Sequence, residues 1–297
     1  MLVQQVFNGL VLGTAYALFA LGLTLVFGIQ KVLNLAHGAV YMWGALIGLF
    51  LVTKFQLPFL LALVLAGIAV GLLNVLVDLV AFRPLRKRGA SDFGALVSSL
   101  GASLILVNIS QRVTGAQTLR FPPESFPNTN FMVAGIRMSL VQLTVVGVAA
   151  VLLLALLLYL YKTSLGRQVR AVAISERTAQ LLGVPAEKVY LQTYFISGAF
   201  AGITGVLLAV SFNSVHSFMG DDLLLRAFVV IIIGGLGSIP GAVVAGLLMG
   251  LSQTFLVAYT SSELSDVAIF TALIIFLLFK PQGLFAGLHS EARVGRS

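Results

Sequence analysis

The chain has 297 residues, with 18 Lys or Arg against 10 Asp or Glu; 59% of it is hydrophobic and only 9% charged, for a mean hydropathy of +1.05 and a pI near 10.0. Soluble domains are about 25% charged, so this chain has too few polar side chains to coat a water-soluble globule, and its solvent must be lipid. The absence of cysteine removes disulfide frameworks and thiolate metal sites, and three His leave a zinc centre almost no ligands; no metal or cofactor is expected.

A bilayer core of about 30 Å is crossed by roughly 20 apolar residues in a helix, and nine such runs are predicted. The first, Leu2–Ile29, carries no charge and lacks the basic start and small-residue cleavage site of a signal peptide, so it is expected to be a retained helix. Val32–Val52, Pro58–Val80, Phe93–Ile109, Leu140–Tyr161 and Leu191–Ser211 follow. The seventh, Leu223–Gly234, is short enough to be a half-helix, which would alter the parity of the count; Ala242–Ala258 and Val267–Phe279 complete the set. The expected fold is all-α, a single polytopic bundle over 1–297 with about 8–9 spans, some of them discontinuous.

Cytoplasmic loops hold the excess of Lys and Arg. Lys31, Arg83, Arg86, Lys87, Arg88, Lys162, Arg167, Arg170, Arg177, Lys188, Lys280, Arg293 and Arg296 fall on one side, against Lys54, Arg112, Arg120, Arg137 and Arg226 on the other. Asp78, Asp92, Glu176, Glu187 and Glu291 go with the first group, and Glu124, Asp221, Asp222, Glu263 and Asp266 with the second. The whole net charge of +8 is then a topology signal and calls for no nucleic acid. The C-terminus is expected in the cytoplasm and, by parity over nine crossings, the N-terminus outside.

Between helices in lipid, close packing relies on small residues. Gly9/Gly13, Gly44/Gly48, Gly67/Gly71, Gly198/Gly202 and Gly246/Gly250 supply such pairs, which predicts contacting helices instead of separate anchors. Enzyme signatures are missing. No Lys follows a Gly, so there is no Walker A loop; Gly235-Leu-Gly237-Ser-Ile-Pro240 has Pro where a dinucleotide fingerprint needs Gly; neither H-E-x-x-H nor G-x-S-x-G occurs. Asp221 and Asp222 are adjacent and so do not face each other on a helix; they are expected in an exposed outer loop.

Three features exceed spanning and packing. Residues 163–188 are long for a turn: Val169, Val172, Ala173 and Glu176 share one helical face, Arg170 and Arg177 flank it, and Gly183 with Pro185 stops it, while Ser175 as an N-cap would instead give two short helices. The segment reads either as a basic helix on anionic headgroups or as a docking surface for a cytoplasmic partner. Asn34, His37 and Gly38 open the second span, where Asn34 can cap the helix and His37 can hydrogen-bond a neighbour; a structural pair and a pathway or gating role both fit. Gly234, Gly235, Gly237, Ser238, Pro240 and Gly241 break helix between the seventh and eighth runs, as a hairpin turn or as the irregular backbone transporters place near substrate.

These segments resemble the branched-chain amino-acid permease family of ABC importers. The likeness lies in Asn34-Leu-Ala-His37-Gly38, in the segment containing Ala173, Ala179 and Gly183, and in Gly234-Gly-Leu-Gly-Ser-Ile-Pro-Gly241, and it extends to Lys280-Pro-Gln-Gly-Leu-Phe285. One departure is visible: Ile174 and Ser175 stand where an acidic or amide residue is expected after Ala173, with Glu176 following. The resemblance implies a non-enzymatic subunit in the cytoplasmic (inner) membrane of a bacterium or archaeon. ABC ATPase subunits would dock under 163–188, through Gly166, Arg170, Ala173, Glu176, Arg177, Ala179 and Gly183. A second related permease, a periplasmic or surface substrate-binding protein and membrane lipid are the other implied partners. Leucine, isoleucine or valine is the implied substrate, with urea, amides or other amino acids as the alternative. Independently of the family, spans nearly free of charge suit a substrate neutral overall and an ATP-driven device, because a proton-driven carrier keeps a carboxylate or His chain. Asp78 is expected to pair with Arg83 or Lys87 near the inner end of its span.

Overall fold

The structure, a computed structural model, describes residues 2–122, 125–126, 129–133 and 135–285. Glu124, Glu291, Arg293 and Arg296, and with them the C-terminus expected in the cytoplasm, lie outside the described residues. Among the described residues twelve α-helices form a bundle: α1 (Leu2–Gln30), α2 (His37–Phe55), α3 (Phe59–Val77), α4 (Arg83–Lys87), α5 (Asp92–Thr114), α6 (Leu140–Lys162), α7 (Ser164–Ile174), α8 (Glu176–Leu181), α9 (Ala186–Phe212), α10 (Met219–Gly234), α11 (Ile239–Tyr259) and α12 (Ser262–Phe279). A π-helical turn, Asp78–Phe82, joins α3 to α4. Among the described residues seven stretches are long and apolar enough to cross a bilayer, with Phe59–Lys87 counting as one; α10 and α12 are shorter.

Capping sets the boundaries. Ser91, Ser238 and Ser261 accept from backbone N–H groups in the first turns of α5, α11 and α12, and Ser139 with Gln142 forms a capping box on α6. Gly115 ends α5 in the left-handed region at φ 66°. One element was not expected: strands β1 (Asn130–Val133) and β2 (Ile136–Ser139) make an antiparallel hairpin before α6. Four-residue strands leave too little alternation to read against an apolar background.

Two faces result. The hairpin face holds the start of α1, where Gln4 bonds the Arg137 backbone in both directions at 2.8 and 2.9 Å. The opposite, basal face carries α7 and α8 and the end of α1. Lys31, Arg83, Arg86, Lys87, Arg88, Lys162, Arg167, Arg170, Arg177, Lys188 and Lys280 all belong to basal ends or links, as grouped from the sequence.

The centre is built from α1, α2, α3, α9, α10 and α11, with α1 packed along α11 and α3 along α9. The spaced glycines make these contacts. Gly9 and Gly13 lie against the backbone of α11 at Gly246–Leu251, Gly44 against Gly202, and Gly198 against Asn74 and Val70. Two units repeat one plan in opposite senses. In each a long helix (α1, α9) reaches its face, six residues (31–36, 213–218) turn back into the bundle, and a second helix (α2, α10) starts deep inside.

Candidate functional site

On the basal face the segment 163–188 is two short helices, the reading in which Ser175 acts as an N-cap. Thr163 Oγ1 accepts from Gly166 N at 2.9 Å and turns the chain from α6 into α7. Gly166 lies so close to the Tyr159 and Leu160 backbone that a Cβ has no room. Val169 and Val172 are buried under the bundle and Ala173 partly so, while the Arg170 guanidinium lies 4.8 Å from the Tyr161 ring. Ser175 leaves helical backbone and its hydroxyl accepts from Thr178 N. Ala179 is buried, Arg177 is exposed, and Gly183 ends α8 at φ 83°. Glu176 does not point freely outward: it accepts from Tyr190 Oη at 2.9 Å and from Gln180 Nε2 at 3.0 Å.

Three apolar side chains here are bare. Ile174 is 82%, Leu181 82% and Leu182 79% exposed. The helical-face pattern passed over them because they lie off the Val169/Val172 stripe, and that misfit was itself the available signal.

Behind α8 lies a charged network. Tyr190 stacks under the Arg86 guanidinium at 3.8 Å, Arg86 pairs with fully buried Asp78 at 2.7 Å, and Arg83 pairs with Glu187 at 2.9 Å. The expected partners of Asp78 were Arg83 or Lys87; the π-helical turn delays the helical phase and brings Arg86 round instead. A chain of contacts thus runs from Glu176 through Tyr190 to Asp78, beside a cavity of about 460 Å³ between the end of α1, the start of α5 and Val172–Glu176.

Asn34, His37 and Gly38 lie deep in the bundle. Asn34 Oδ1 accepts from Ala36 N at 3.0 Å, and His37 Nε2 donates to the Phe19 carbonyl of α1 at 3.3 Å. Phe19 is eleven residues from the end of α1, about 16 Å along the axis. A Cβ on Gly38 would lie 2.7 Å from the Gly220 carbonyl oxygen, so the amino ends of α2 and α10 touch backbone to backbone. Asn34 and His37 are fully buried, and among the described residues Asn34 Nδ2 and His37 Nδ1 have no hydrogen-bond partner.

Gly234, Gly235, Gly237, Ser238, Pro240 and Gly241 form a tight basal turn from α10 to α11. Gly235 and Gly237 take positive φ of 100° and 83°, Ser238 caps α11 through Gly241 N at 3.2 Å, and Pro240 occupies its first turn. The turn is covered: Gly28 of α1 approaches Gly237, Gly283 approaches Gly235, and Leu284 N donates to Ile233 O at 2.8 Å. The turn and the deep junction are therefore separate places, some 15 residues apart along α10.

Two expectations are corrected. Asp221 and Asp222 are not in an outer loop; they occupy the first turn of α10, beside the Gly38–Gly220 contact. Arg226 is not an outer-side charge; it sits within α10, bound to Asp266 of α12 at 3.1 and 3.2 Å. The bundle is not free of fixed charge, because the re-entrant residues 213–218 carry this acidic turn inward, which hydropathy along the chain does not register.

Residues 5–278 match the family model described as branched-chain amino acid transport system / permease component. The high-affinity branched-chain amino acid transport system permease protein LivH of Escherichia coli K12 is 32% identical over 302 aligned residues, covering 95% of this chain and 94% of that protein. The corresponding permease protein BraD of Pseudomonas aeruginosa is 32% identical over 292, again covering 95% and 94%. A chain of PsaBC from Streptococcus pneumoniae in complex with Fab, 15% identical, superposes with a TM-score of 0.50 over 95% of this chain and 94% of that one, a likeness of fold. The helical bundle, its paired glycines and this end-to-end similarity place the chain in the branched-chain amino acid transport permease family, as a multi-pass membrane transport subunit and not an enzyme.

Proposed function

We propose that this chain is a membrane-spanning subunit of an ABC importer that carries leucine, isoleucine and valine inward across the cytoplasmic membrane of a bacterium or archaeon. In this reading the basal face is cytoplasmic and ABC ATPase subunits dock on α7 and α8. A substrate-binding protein delivers its load to the hairpin face, and a second related permease completes the channel. The observation that carries the reading is a two-helix projection, rigidly capped at Thr163 and Ser175, that presents bare Ile174, Leu181 and Leu182 on a chain of permease family.

Closure of the ATPases would press on Ile174–Leu182 and act along Glu176, Tyr190, Arg86 and Asp78 on the junction of α3 and α4. Gly166, Arg170, Ala173, Ala179, Arg177 and Gly183 hold the shape of this lever. Asn34, His37 and Gly38 line or gate the route in mid-bundle, and Gly234–Gly241 closes its basal side. The test is purification of the tagged chain in mild detergent, followed by reconstitution with whatever co-purifies. Two P-loop ATPases and a second permease, with leucine uptake that needs ATP, are expected. Recovery of the chain alone, with uptake in ATP-depleted vesicles, would leave a self-sufficient carrier.

A further inference from the structure

A cavity of about 250 Å³ lies where the re-entrant residues 213–218 meet α1, α2 and α10. Its polar lining is Tyr16, Tyr41, Ser214, His216, Asp222 and Arg226; its apolar wall includes Leu12, Leu208, Phe212 and Leu223. The volume suits a small solute and not a lipid chain or a peptide. Leu12, Leu208 and Phe212 also line a groove of about 620 Å³ towards the hairpin side, so the two spaces adjoin.

Depth makes the charges informative. Asp222 is twelve residues from Gly234 at the basal end of α10, about 18 Å along the axis, which is mid-way through a hydrocarbon core of about 30 Å. Its side chain is nevertheless exposed. An exposed carboxylate at that depth faces water or a partner and not lipid, and intramembrane ionisable groups mark substrate routes.

The two charges are differently committed. Arg226 is held by Asp266 and donates to Tyr16 Oη at 3.3 Å, while Tyr16 donates to Gln253 Oε1. The guanidinium is thereby fixed in place, with N–H groups left over for a further acceptor. Asp222 makes no ion pair among the described residues, so the cavity holds an acid without a cation, one helical turn from an anchored cation. Residues at i and i+4 share one helix face, so the acid and the anchored cation both serve the cavity, an arrangement that matches a carbon bearing both an ammonium and a carboxylate.

We propose that this cavity is a binding station for an aliphatic α-amino acid in its zwitterionic form. Asp222 takes the ammonium, Arg226 with His216 the carboxylate, and Leu12, Leu208 and Leu223 the side chain. This deepens the proposed function and rests on it for the identity of the amino acid. Selection would then occur within the permease as well as in the delivery protein.

The test uses the complete transporter in proteoliposomes. Asp222→Asn should cut leucine uptake about ten-fold or more while ATP hydrolysis stimulated by the binding protein persists. Asp221→Asn, which removes a neighbouring carboxylate outside the cavity lining, should retain both. Unchanged leucine uptake in Asp222→Asn would overturn the assignment. Should that variant fail to assemble, Ser214→Cys, at the cavity wall of a chain that has no other thiol, gives a direct reading through its rate of modification by a methanethiosulfonate reagent. Slowing by leucine, but not by isocaproate or isopentylamine, which each lack one charge, supports the station; slowing by none of a panel of aliphatic amino acids, or equally by all three leucine-sized probes, overturns it. Slowing by another aliphatic amino acid with no leucine uptake by the wild type would keep the station and discard leucine as substrate.

Discussion

Gly44 and Gly101 look alike in the sequence, each small and each within an apolar helix, yet they stand at opposite ends of a scale of consequence. A Cβ on Gly44 would enter the Gly202 backbone, whereas one on Gly101 meets nothing within 4 Å. Gly44→Ala is therefore expected to lower stability by about 1–3 kcal/mol through forced separation of α2 and α9, and Gly101→Ala to raise it by about 0.5–1 kcal/mol through helix propensity; melting of the detergent-solubilised protein distinguishes them, and equal melting points would refute the packing account. Burial ranks the ion pairs in the same manner. Asp78→Ala leaves Arg86 with only its longer ion-pair contact to Glu187 at 3.7 Å and should destabilise by up to about 3–5 kcal/mol; Arg83→Ala, at a pair whose side chains are 36% and 42% exposed, should cost about 0–1 kcal/mol. The small-residue pairs and the bond from His37 to a neighbouring helix were legible in sequence, because they follow from local spacing; Asn34, expected to cap α2, instead accepts from Ala36 N ahead of the helix, whose N-cap is Ala36 and has no side-chain cap bond. The Asp78–Arg86 pairing was not, since a π-helical turn has no simple sequence signature, and neither was the depth of Asp222 and Arg226, which only the fold of residues 213–218 determines.

At the scale of elements, the span edges were readable to within a few residues where charge or a cap marks them: α1 was expected to end at Ile29 and ends at Gln30. The break at Ser175 was readable as a capping residue, whereas the direction in which the two resulting helices expose their apolar side chains depends on how α7 docks beneath α6 at Gly166. Ile174→Asp and Leu181→Asp alter only surface, so the isolated subunit should elute and melt like the wild type. Each should nevertheless lose co-purifying ATPase. Normal ATPase recovery in both variants would mean that the docking surface lies elsewhere. Glu176→Arg has a different expected effect: it removes the acceptor of Tyr190 and introduces a second cation beside Arg86, so the ATPases should remain bound while hydrolysis and uptake part company, read as ATP consumed per leucine imported. An unchanged ratio would remove Glu176 from the transmission path.

For the whole molecule, the segregation of Lys and Arg that suggested an inner side reappears as two physical faces, and orientation follows as a prediction. With Phe55→Cys on the hairpin face and Lys188→Cys on the basal face, a membrane-impermeant maleimide should label the first in intact cells and the second only after permeabilisation; the reverse pattern would turn the protein over. The two units α1–α2 and α9–α10 share one plan and enter from opposite faces, touching at Gly38 and Gly220. If each adopts the conformation of the other, a form open to one side becomes a form open to the other, made of nearly the same contacts and so of nearly the same energy. A scaffold of that kind is a reversible valve with no preferred sense of flow. On the proposed reading, whatever makes the flow vectorial is applied from outside the scaffold, through the ATPase contact at Ile174, Leu181 and Leu182.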